Sequence, residues 1–535
     1  MTYNAVKPYR CKRNKFNLGH NFGFTCKPGY VYPVLVQDYS PGDAFNINFS
    51  ELVKMQPMSA PAYLDCIIRF DAFRIDNGVT FPQWYDFAKQ NGSEENPIVY
   101  PYITIPENGF AKGSLGDFFN VAVGTGEGVK MDALLFRDYQ AILDEYYINT
   151  LIQDPVGYST AEGEDVTTSL SLRKANLRKD RFTGLANSTQ AGDEVILPIG
   201  TSAPVSVFGN GKSLGWTDGT NNAGSSIISN EGIMTRAGNY GVDNGTVTTG
   251  LGALSDNVAI GITTDKTKSG LVGSADLTNV TGIGMNLFDS AQRLALYRRL
   301  NLFAGDHYSD WQYVQYGVPS SDARLHRPQW LGSYKMPFIV SEVLQNSQTT
   351  ETSPQGTMAG HGMSNGGAHL FIPTLNDTGY IMVLMTILPK VSYDQGLPKQ
   401  YTRFSPFDYI IPIFNNMPMQ EVKEKELYLQ DADVVDSDGN VVNEKTLGYA
   451  PIYDEYRHRN NRIAGDFHDS LSYWVVNRKF NSAPVLNSEF IQPADTIMDS
   501  VFAVSAAVAD PFIVSMNFGI TALRKLKRVG LPTFV

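Results

Sequence analysis

Alternation of apolar and polar residues near both ends of the chain most constrains its fold. Residues 62–74 place Asp65, Arg69 and Asp71 on one face of an extended strand and apolar side chains on the other, namely Leu64, Cys66, Ile68, Phe70 and Ala72. Residues 512–523 alternate in the same way. A period of two is typical of strands buried on one side. The sequence therefore predicts an all-β core to which both ends of the chain contribute.

Further patterns predict additional strands. The unbroken apolar run 380–388, between Gly379 and Pro389, predicts a strand buried on both faces. Shorter candidate strands are 30–37, 43–53, 338–345, 471–477 and 497–504.

Helical periodicity is confined to the middle of the chain. Residues 131–149 predict a helix with one apolar stripe, formed by Leu135, Tyr139, Ile142 and Tyr146. Residues 290–303 predict a second helix, with Asp289 as N-cap and Gln292 in the capping-box position. Its inward stripe is predicted to consist of Leu296, Leu300 and Phe303.

A glycine-rich stretch separates these helices. Residues 200–284 hold 17 of the 48 glycines and no long periodic segment. Its apolar patches, with Phe208 and Trp216, favour an ordered insertion that folds on itself or against copies of itself. The alternative is a disordered linker. We therefore predict a core formed by residues 1–200 and 285–535, interrupted by an insertion at 201–284.

Positive charge is concentrated at the two ends of an acidic chain. The net charge is −11, but residues 1–37 and 511–535 contain no acidic side chain. This distribution predicts contact between the chain ends and a polyanion such as nucleic acid. The alternative is that basic tails keep the chain ends solvated. The candidate contacts are Lys7, Arg10, Lys12, Arg13, Lys15, Arg524, Lys525, Lys527 and Arg528.

Motifs that resemble reaction centres lack the surrounding structure that their chemistry requires. Residues 362–366 read G-x-S-x-G, but no strand precedes them and no helix follows, which predicts a glycine-rich loop. Residues 206–213 lack the first glycine of a phosphate-binding loop, and residues 124–128 have the wrong spacing for a dinucleotide turn. A calcium-loop alignment puts Val434 and Lys445 at ligand positions, so this segment predicts a hairpin with an Asp-Gly turn.

The few cysteines and the scattered histidines argue against a disulfide-stabilised protein and against a zinc site. The three cysteines are too few for a disulfide framework, and the seven histidines show no zinc-ligand spacing. The N-terminus lacks an apolar signal-peptide core, and the longest aliphatic run is too short to span a bilayer. We predict a soluble, non-enzymatic protein of a reducing compartment, with no metal and no cofactor.

Several segments, in order along nearly the whole chain, resemble the major capsid proteins of microviruses, tailless phages of the gokushovirus branch. The most specific is SSDARLHRPQWLG at 320–332. The others are GYVYPVLVQDYSPGDAFNINF at 29–49, FRDYQAILDEYYINTLIQD at 136–154, YDQGLPKQYTRFSPFDYIIP at 393–412, GYAPIYDEYRHRNNRIAGDF at 448–467 and ADPFIVSMNF at 509–518.

This resemblance implies a single eight-stranded viral jelly-roll barrel with long inserted loops, assembled with copies of itself as a T=1 icosahedral shell. It also implies a virion location, assembly in the host bacterial cytoplasm, and an outward three-fold protrusion at 201–284 linked to host attachment. The implied partners are the single-stranded DNA genome, a small basic DNA-packaging protein, other minor virion proteins and a host cell surface receptor. Within 201–283, outside the flanks, no segment matches a family motif.

A carbohydrate-binding or hydrolytic β protein is the alternative interpretation of the aromatic residues and turns. Such a protein would act as a monomer and would carry a pair of carboxylates in a cleft. A particle in the megadalton range, rather than a single chain, distinguishes a shell protein from this alternative.

Overall fold

The computed structural model of this chain describes residues 12–89, 97–192, 195, 285–304, 308–318, 327–344 and 358–528, except 416, 418, 437 and 506–507. Within 205–275 it describes seven short strands by their backbone. Residues 1–189 with 303–535 form one compact unit, and residues 190–302 form another.

Strands outnumber helices in both units. The strands before residue 190 are β1 (Asn14–Asn17), β2 (His20–Cys26), β3 (Val31–Tyr39), β4 (Ala44–Met55), β5 (Cys66–Asp76), β6 (Tyr102–Thr104) and β7 (Lys130–Asp132). The second unit contains β8 (Val205–Gly209), β9 (Trp216–Thr217), β10 (Asn222–Ala223), β11 (Ile227–Ile228), β12 (Thr235–Arg236), β13 (Gly261–Ile262) and β14 (Leu271–Ala275). The later strands are β15 (Gln329–Pro337), β16 (Ile339–Leu344), β17 (Met358–Ile372), β18 (Gly379–Pro389), β19 (Gln420–Lys423), β20 (Thr446–Ala450) and β21 (Phe512–Arg524).

The helices are mostly short. They are α1 (Asn77–Thr80), α2 (Trp84–Lys89), α3 (Leu115–Phe118), α4 (Leu134–Tyr146), α5 (Met285–Ala304), α6 (Tyr308–Tyr316) and α7 (Ser488–Ile491). Between residues 399 and 474 the chain also makes several single turns of 3-10 helix.

Two antiparallel sheets form the body of the first unit. The six-stranded sheet has the order β1–β21–β4–β17–β16, and β2 also pairs with β21. The four-stranded sheet has the order β15–β5–β18–β3. The last strand, β21, therefore lies between the first two strands and β4. This architecture confirms the predicted all-β core and the contribution of both chain ends to it.

The inward faces of the two sheets share one hydrophobic core. Alternation along β21 buries Val514, Met516, Phe518, Ile520 and Ala522, each at most 2% exposed. The ring centroid of Phe49 on β4 lies 6.2 Å from that of Phe518 and 5.1 Å from that of Phe70 on β5. Burial of each large apolar side chain contributes about 1.5–3 kcal/mol, so this core is the main source of stability for the two sheets.

Strand β18 belongs to two cores, as its unbroken apolar sequence predicts. Ile381, Val383, Met385 and Ile387 face the core between the sheets. Met382 and Leu384 face a second core, formed with helix α4. The predicted stripe on α4 packs here through Tyr139 and Ile142, both fully buried, and the Tyr139 hydroxyl donates to the Val31 carbonyl at 2.8 Å.

Two predicted strands, 471–477 and 497–504, are wrong. The first forms a 3-10 turn at Ser472–Trp474, and the second consists of turns and bends. Both make isolated bridges only, at Val475, Asn477 and Phe502. Their apolar residues are nevertheless buried, because Val501 is fully enclosed and Val475 is 8% exposed. Their carbonyls bond to other loops: Ser59 N–H donates to Val501 O, and Ser392 N–H donates to Val476 O, each at 3.0 Å.

The predicted glycine-rich loop at 362–366 is also wrong, since these residues lie within β17. Glycine fits there because methionine side chains fill the space that a Cβ atom would occupy, so that a larger residue would force these methionines to move. A Cβ atom at Gly362 would lie 2.3 Å from Met55 Sδ, and one at Gly366 would lie 2.0 Å from Met336 Sδ. The Ser364 hydroxyl is buried and donates to the Pro337 carbonyl at 3.1 Å, so its strand position differs from the turn of a serine nucleophile.

Two side-chain predictions need correction. Asp71, assigned to the polar face of β5, is fully buried, where Arg69 (2.7 Å) and the Tyr147 hydroxyl (2.8 Å) satisfy its carboxylate. Helix α5 begins at Met285, so Asp289 is not its N-cap. Asp289 instead pairs with Arg293 one turn later, at 3.3 Å.

The predicted inward stripe of α5 is wrong as well. Leu296 is 54% exposed and Leu300 is 41% exposed, so these leucines do not pack into a core of the single chain. The side chain of Phe303 lies outside the described residues. In the same unit, β8 pairs with β14, β9 with both β10 and β13, and β11 with β12, all antiparallel.

Tight turns occur at two of the motifs that were predicted to be loops or turns, residues 124–128 and the Asp-Gly segment that contains Gly439. Gly124, Gly126 and Gly128 all have positive φ, which is consistent with an ordinary glycine loop. Val435 and Val441 form an antiparallel bridge, and Gly439 between them has φ +82°. This geometry confirms the predicted hairpin with its Asp-Gly turn.

Candidate nucleic-acid interface

Pairing of β1 with the end of β21 brings the two basic segments of the chain together. Asn14 lies opposite Arg524, and Lys15 lies opposite Leu523. Phe16, half-buried beside Ala522, fixes which face of β1 points inward, so Lys15 points outward. Asn14 Nδ2 also donates to the Leu526 carbonyl at 2.7 Å. Segments at opposite ends of the sequence thus form one continuous surface.

Six cations of this surface are exposed. They are Lys12, Arg13 and Lys15 from the first segment and Lys525, Lys527 and Arg528 from the second. Arg13 Nη1 donates to Thr374 Oγ1 at 3.1 Å. In the part of the chain that the structure describes, Lys15, Lys525, Lys527 and Arg528 form no salt bridge. Lys7 and Arg10, also predicted as contacts, lie outside the described residues.

Arg524 has a different environment from these six cations. Its Nε atom lies 3.2 Å from Asp43 Oδ2, its Nη2 atom lies 3.3 Å from Asp38 Oδ2, and its guanidinium stands 5.6 Å from the centroid of the Phe45 ring. Burial raises the pKa of the Asp43 carboxyl, although the Ser40 N–H and Arg524 both favour its charged form. Arg524 therefore anchors the end of β21 to the turn between β3 and β4.

The outer face of the six-stranded sheet adjoins the basic surface and is rich in amide and hydroxyl groups. Its outward positions are Asn46, Asn48, Ser50, Leu52 and Lys54 on β4, Ile513, Ser515, Asn517, Gly519, Thr521 and Leu523 on β21, and Met363, Asn365, Gly367, His369 and Phe371 on β17. None of these positions holds a carboxylate, in a chain with 54 acidic residues. A phosphate backbone can therefore lie against this amide-rich face without charge repulsion.

The net charge of the sequence does not reveal the amide-rich face, because the residues of this face belong to strands far apart in sequence. The signal that reveals it is the identity of every second residue in each strand, once the inward residues are known. The sequence placed positive charge at the chain ends and gave the rest of the chain a net negative charge. The register of the sheet instead leaves the outward positions of β4, β17 and β21 without an acidic residue.

Other site types are less well supported by the described residues. Among the residues that the structure describes, no cluster of three or more His, Cys, Asp or Glu side chains has the geometry of a metal site. No helix in the described part of the chain is long and apolar enough to cross a membrane. Cys26 and Cys66 are buried free thiols, and burial raises the pKa of Cys66 to about 12, so its thiol stays protonated at neutral pH.

Comparison with known proteins identifies the family. Residues 4–534 match the family model described as "Capsid protein (F protein)". The chain belongs to this phage capsid protein family. The chain is 26% identical to capsid protein VP1 of Chlamydia phage 1, over 99% of this chain and 97% of that protein. It is also 26% identical to VP1 of Bdellovibrio phage phiMH2K, over 97% of this chain and 95% of that protein.

A third relative also matches over nearly its whole length. The chain is 24% identical to capsid protein VP1 of Spiroplasma virus 4, over 99% of this chain and 97% of that protein. These matches confirm the resemblance to microvirus capsid proteins that the sequence motifs indicated. The chain is a structural capsid protein of the virion. Membership of a capsid protein family implies that many copies of the chain assemble into a shell.

Proposed function

We propose that this capsid protein is the subunit of a T=1 icosahedral shell, built on an eight-stranded viral jelly roll. The supporting observation is the strand order. If β2, β3, β4, β5, β15, β17, β18 and β21 are counted in chain order, one sheet contains the first, eighth, third and sixth strands. The other contains the second, seventh, fourth and fifth. This double Greek-key order is that of jelly rolls.

An exposed apolar segment supports assembly from many copies. Residues 401–417 expose seven large apolar side chains: Tyr401, Phe404, Phe407, Tyr409, Ile410, Ile413 and Met417. Phe404 is 90% exposed and Ile413 is 80% exposed. Apolar side chains clustered on a surface in this way are typical of protein–protein interfaces. We name residues 401–417 the assembly segment and propose that it packs against a neighbouring subunit.

The shell is proposed to enclose single-stranded DNA. The terminal basic surface and the amide-rich face support this assignment because the first offers exposed cations and the outward positions of β4, β17 and β21 hold no carboxylate. Contact would be made with phosphates, independent of base sequence. A small basic packaging protein and other minor virion proteins are proposed to act beside this surface. The role is structural and not catalytic, and assembly is proposed to occur in the cytoplasm of the host bacterium.

The insertion at 201–284 is proposed to project outward around the three-fold axes and to bind a receptor on the host surface. Its glycine content and small apolar patches support this role, because patches too short to form a core of their own can be buried jointly by three copies that meet at an axis. Replacement of residues 210–275 by a short Gly-Ser bridge is expected to leave the sheets folded and to abolish adsorption to the host. Normal adsorption by such particles would contradict the receptor role.

The oligomeric state of the purified protein tests the shell proposal. Electron microscopy is expected to show closed particles of uniform diameter, with T=1 symmetry after averaging. A protein that remains a single chain under all assembly conditions would contradict the proposal and favour a monomeric β protein that binds or hydrolyses carbohydrate.

A further inference from the structure

A small pocket lies beside the segment Arg457–Arg462, which reads RHRNNR and contains no acidic residue. The pocket has a volume of about 120 Å³. Residues that line its rim are Lys399, Gln400, Arg459, Asn460, Asn461 and Arg462. None of them belongs to the basic chain ends, and the charge pattern of the whole sequence did not single them out. We name this cavity the Arg459 pocket.

Two acidic residues line the pocket, and each is paired with an arginine, although Glu426 Oε1 is buried without a hydrogen-bond partner among the described residues. Glu426 and Glu455 line its floor together with Arg181. Arg181 Nη2 lies 2.5 Å from Glu426 Oε2, and Arg403 Nη2 lies 3.2 Å from Glu455 Oε1. Because Glu426 and Glu455 each have an arginine partner, they compete weakly for the cations of the rim.

The cations of the rim lack such partners. Lys399, Arg459 and Arg462 form no salt bridge with any residue that the structure describes, and Arg459 and Arg462 are exposed. Arg457 differs, because its guanidinium donates to the Ile452 carbonyl and to Asn415 Oδ1 at 2.9 and 3.0 Å. Three positive charges around one small cavity repel one another unless an anion lies between them.

Asn460 adds a buried donor to this pocket. Its Oδ1 atom accepts from the Arg181 backbone N–H at 3.4 Å, which orients the amide. Its Nδ2 atom is buried and has no hydrogen-bond partner in the described part of the chain. A buried donor without a partner is costly, so a bound acceptor would satisfy it.

We propose that the Arg459 pocket binds a phosphate group. A phosphate group suits the pocket because its oxygens are arranged tetrahedrally, so that they can engage the cations and the amide from several directions at once. The phosphate is supplied either by the free anion or by a nucleic-acid backbone.

Isothermal titration calorimetry on the full-length, unassembled chain tests the pocket with two probes, inorganic phosphate and the dinucleotide dTpdT. We expect saturable binding of at least one probe at one site per chain. The double variant Arg459→Gln/Arg462→Gln is expected to weaken binding by at least about tenfold. Arg293→Gln, which removes an exposed arginine elsewhere, is the matched control and should leave affinity unchanged.

The two probes distinguish the source of the phosphate. Binding of inorganic phosphate alone assigns the free anion, and binding of dTpdT alone assigns the nucleic-acid backbone. Each result supports the pocket if the double variant weakens that binding by at least about tenfold. No saturable binding of either probe, or equal affinity in the parent and the double variant, would overturn the proposal. Since no residue of the chain ends takes part, these outcomes are independent of whether the terminal surface binds DNA.

Discussion

Asn14 lies directly opposite Arg524 in the antiparallel pair of β1 and β21, so the sheet itself joins the beginning and the end of the described chain. The side chain of Asn14 extends this connection by donating to the Leu526 carbonyl, 512 positions later. Asp38 and Asp43 bind Arg524 and thereby fix the end of β21. The backbone that carries the neighbouring exposed cations is therefore held in place. A polyanion would therefore meet one preorganised surface.

Removal of four exposed cations is expected to weaken retention of the genome. We expect particles with Lys12, Arg13, Lys525 and Arg528 changed to Ala to release single-stranded DNA at lower salt than the parent. Each phosphate contact to a single strand contributes about 0.7 to the slope of log affinity against log salt, so the slope should decrease by up to about 3. DNA release during a salt titration measures both effects.

The control for this experiment removes the same number of charges from Lys390, Lys423, Lys425 and Lys445, each of which pairs with a carboxylate. Arg524 is left unchanged because its loss would also detach the end of β21. Equal retention in the quadruple variant and the parent at every salt concentration would contradict a nucleic-acid role for the chain ends.

The assembly segment is expected to control particle formation and not folding. The double variant Phe404→Ser/Ile413→Ser should fold normally, since both side chains are exposed in the single chain. It should fail to assemble, because each apolar side chain buried between subunits contributes about 2 kcal/mol to the free energy of association. This loss is repeated at every symmetric contact of the shell. Sedimentation velocity measures the fraction of chains in particles, and circular dichroism checks the fold.

Val166→Ser/Val485→Ser is the matched control for assembly. These valines are 83% and 64% exposed and lie outside the assembly segment. If the assembly-segment variant forms particles as efficiently as this control, the segment does not form a subunit contact.

Arg181 is expected to be critical for the stability of the single chain. It is 8% exposed and lies among Glu426, Asp454 and Glu455, at distances of 2.5, 3.3 and 3.8 Å. Arg181→Ala would leave buried carboxylates without their partner, which costs about 3–5 kcal/mol. Urea denaturation of the unassembled chain measures the loss. Arg293→Ala breaks an exposed pair and should cost less than about 0.5 kcal/mol, so similar losses for both variants would contradict this expectation.

Glu51 is expected to make stability depend on pH. Its side chain points into the core from β4 and is 1% exposed, and neither carboxyl oxygen has a hydrogen-bond partner in the described part of the chain. Burial raises its pKa from 4.5 to about 7. Below pH 4.5 the group is neutral in both states, whereas between pH 4.5 and 7 unfolding releases a proton, so stability falls as the pH rises through this window.

Glu51→Gln removes this titration while preserving the size of the side chain. Relative to the parent, the variant should gain about 3 kcal/mol in free energy of unfolding between pH 4 and pH 8, from a pKa difference of about 2.5 units. Urea denaturation of the unassembled chain at both pH values measures the gain. An identical pH dependence in parent and variant would show that Glu51 is ionised in the folded chain at neutral pH.

Local patterns predicted several elements of the fold correctly. Alternation in 512–523 identified β21, the continuous apolar run identified β18 with its two buried faces, and the stripe in 131–149 identified α4. In each case the period of the sequence matches the geometry of one element, so neighbouring residues suffice to reveal it. The same reasoning failed for 471–477 and 497–504, where apolar residues reach the core from turns that bond to distant loops.

The sequence by itself determined which segments alternate, where glycine concentrates and that positive charge lies at the two ends. Only the tertiary structure decided that these ends are paired in one sheet, that glycines in β17 make room for Met55 and Met336, and that the amide-rich face lacks carboxylates. The reason is physical: periodicity is carried by residues close in sequence, whereas register joins residues hundreds of positions apart.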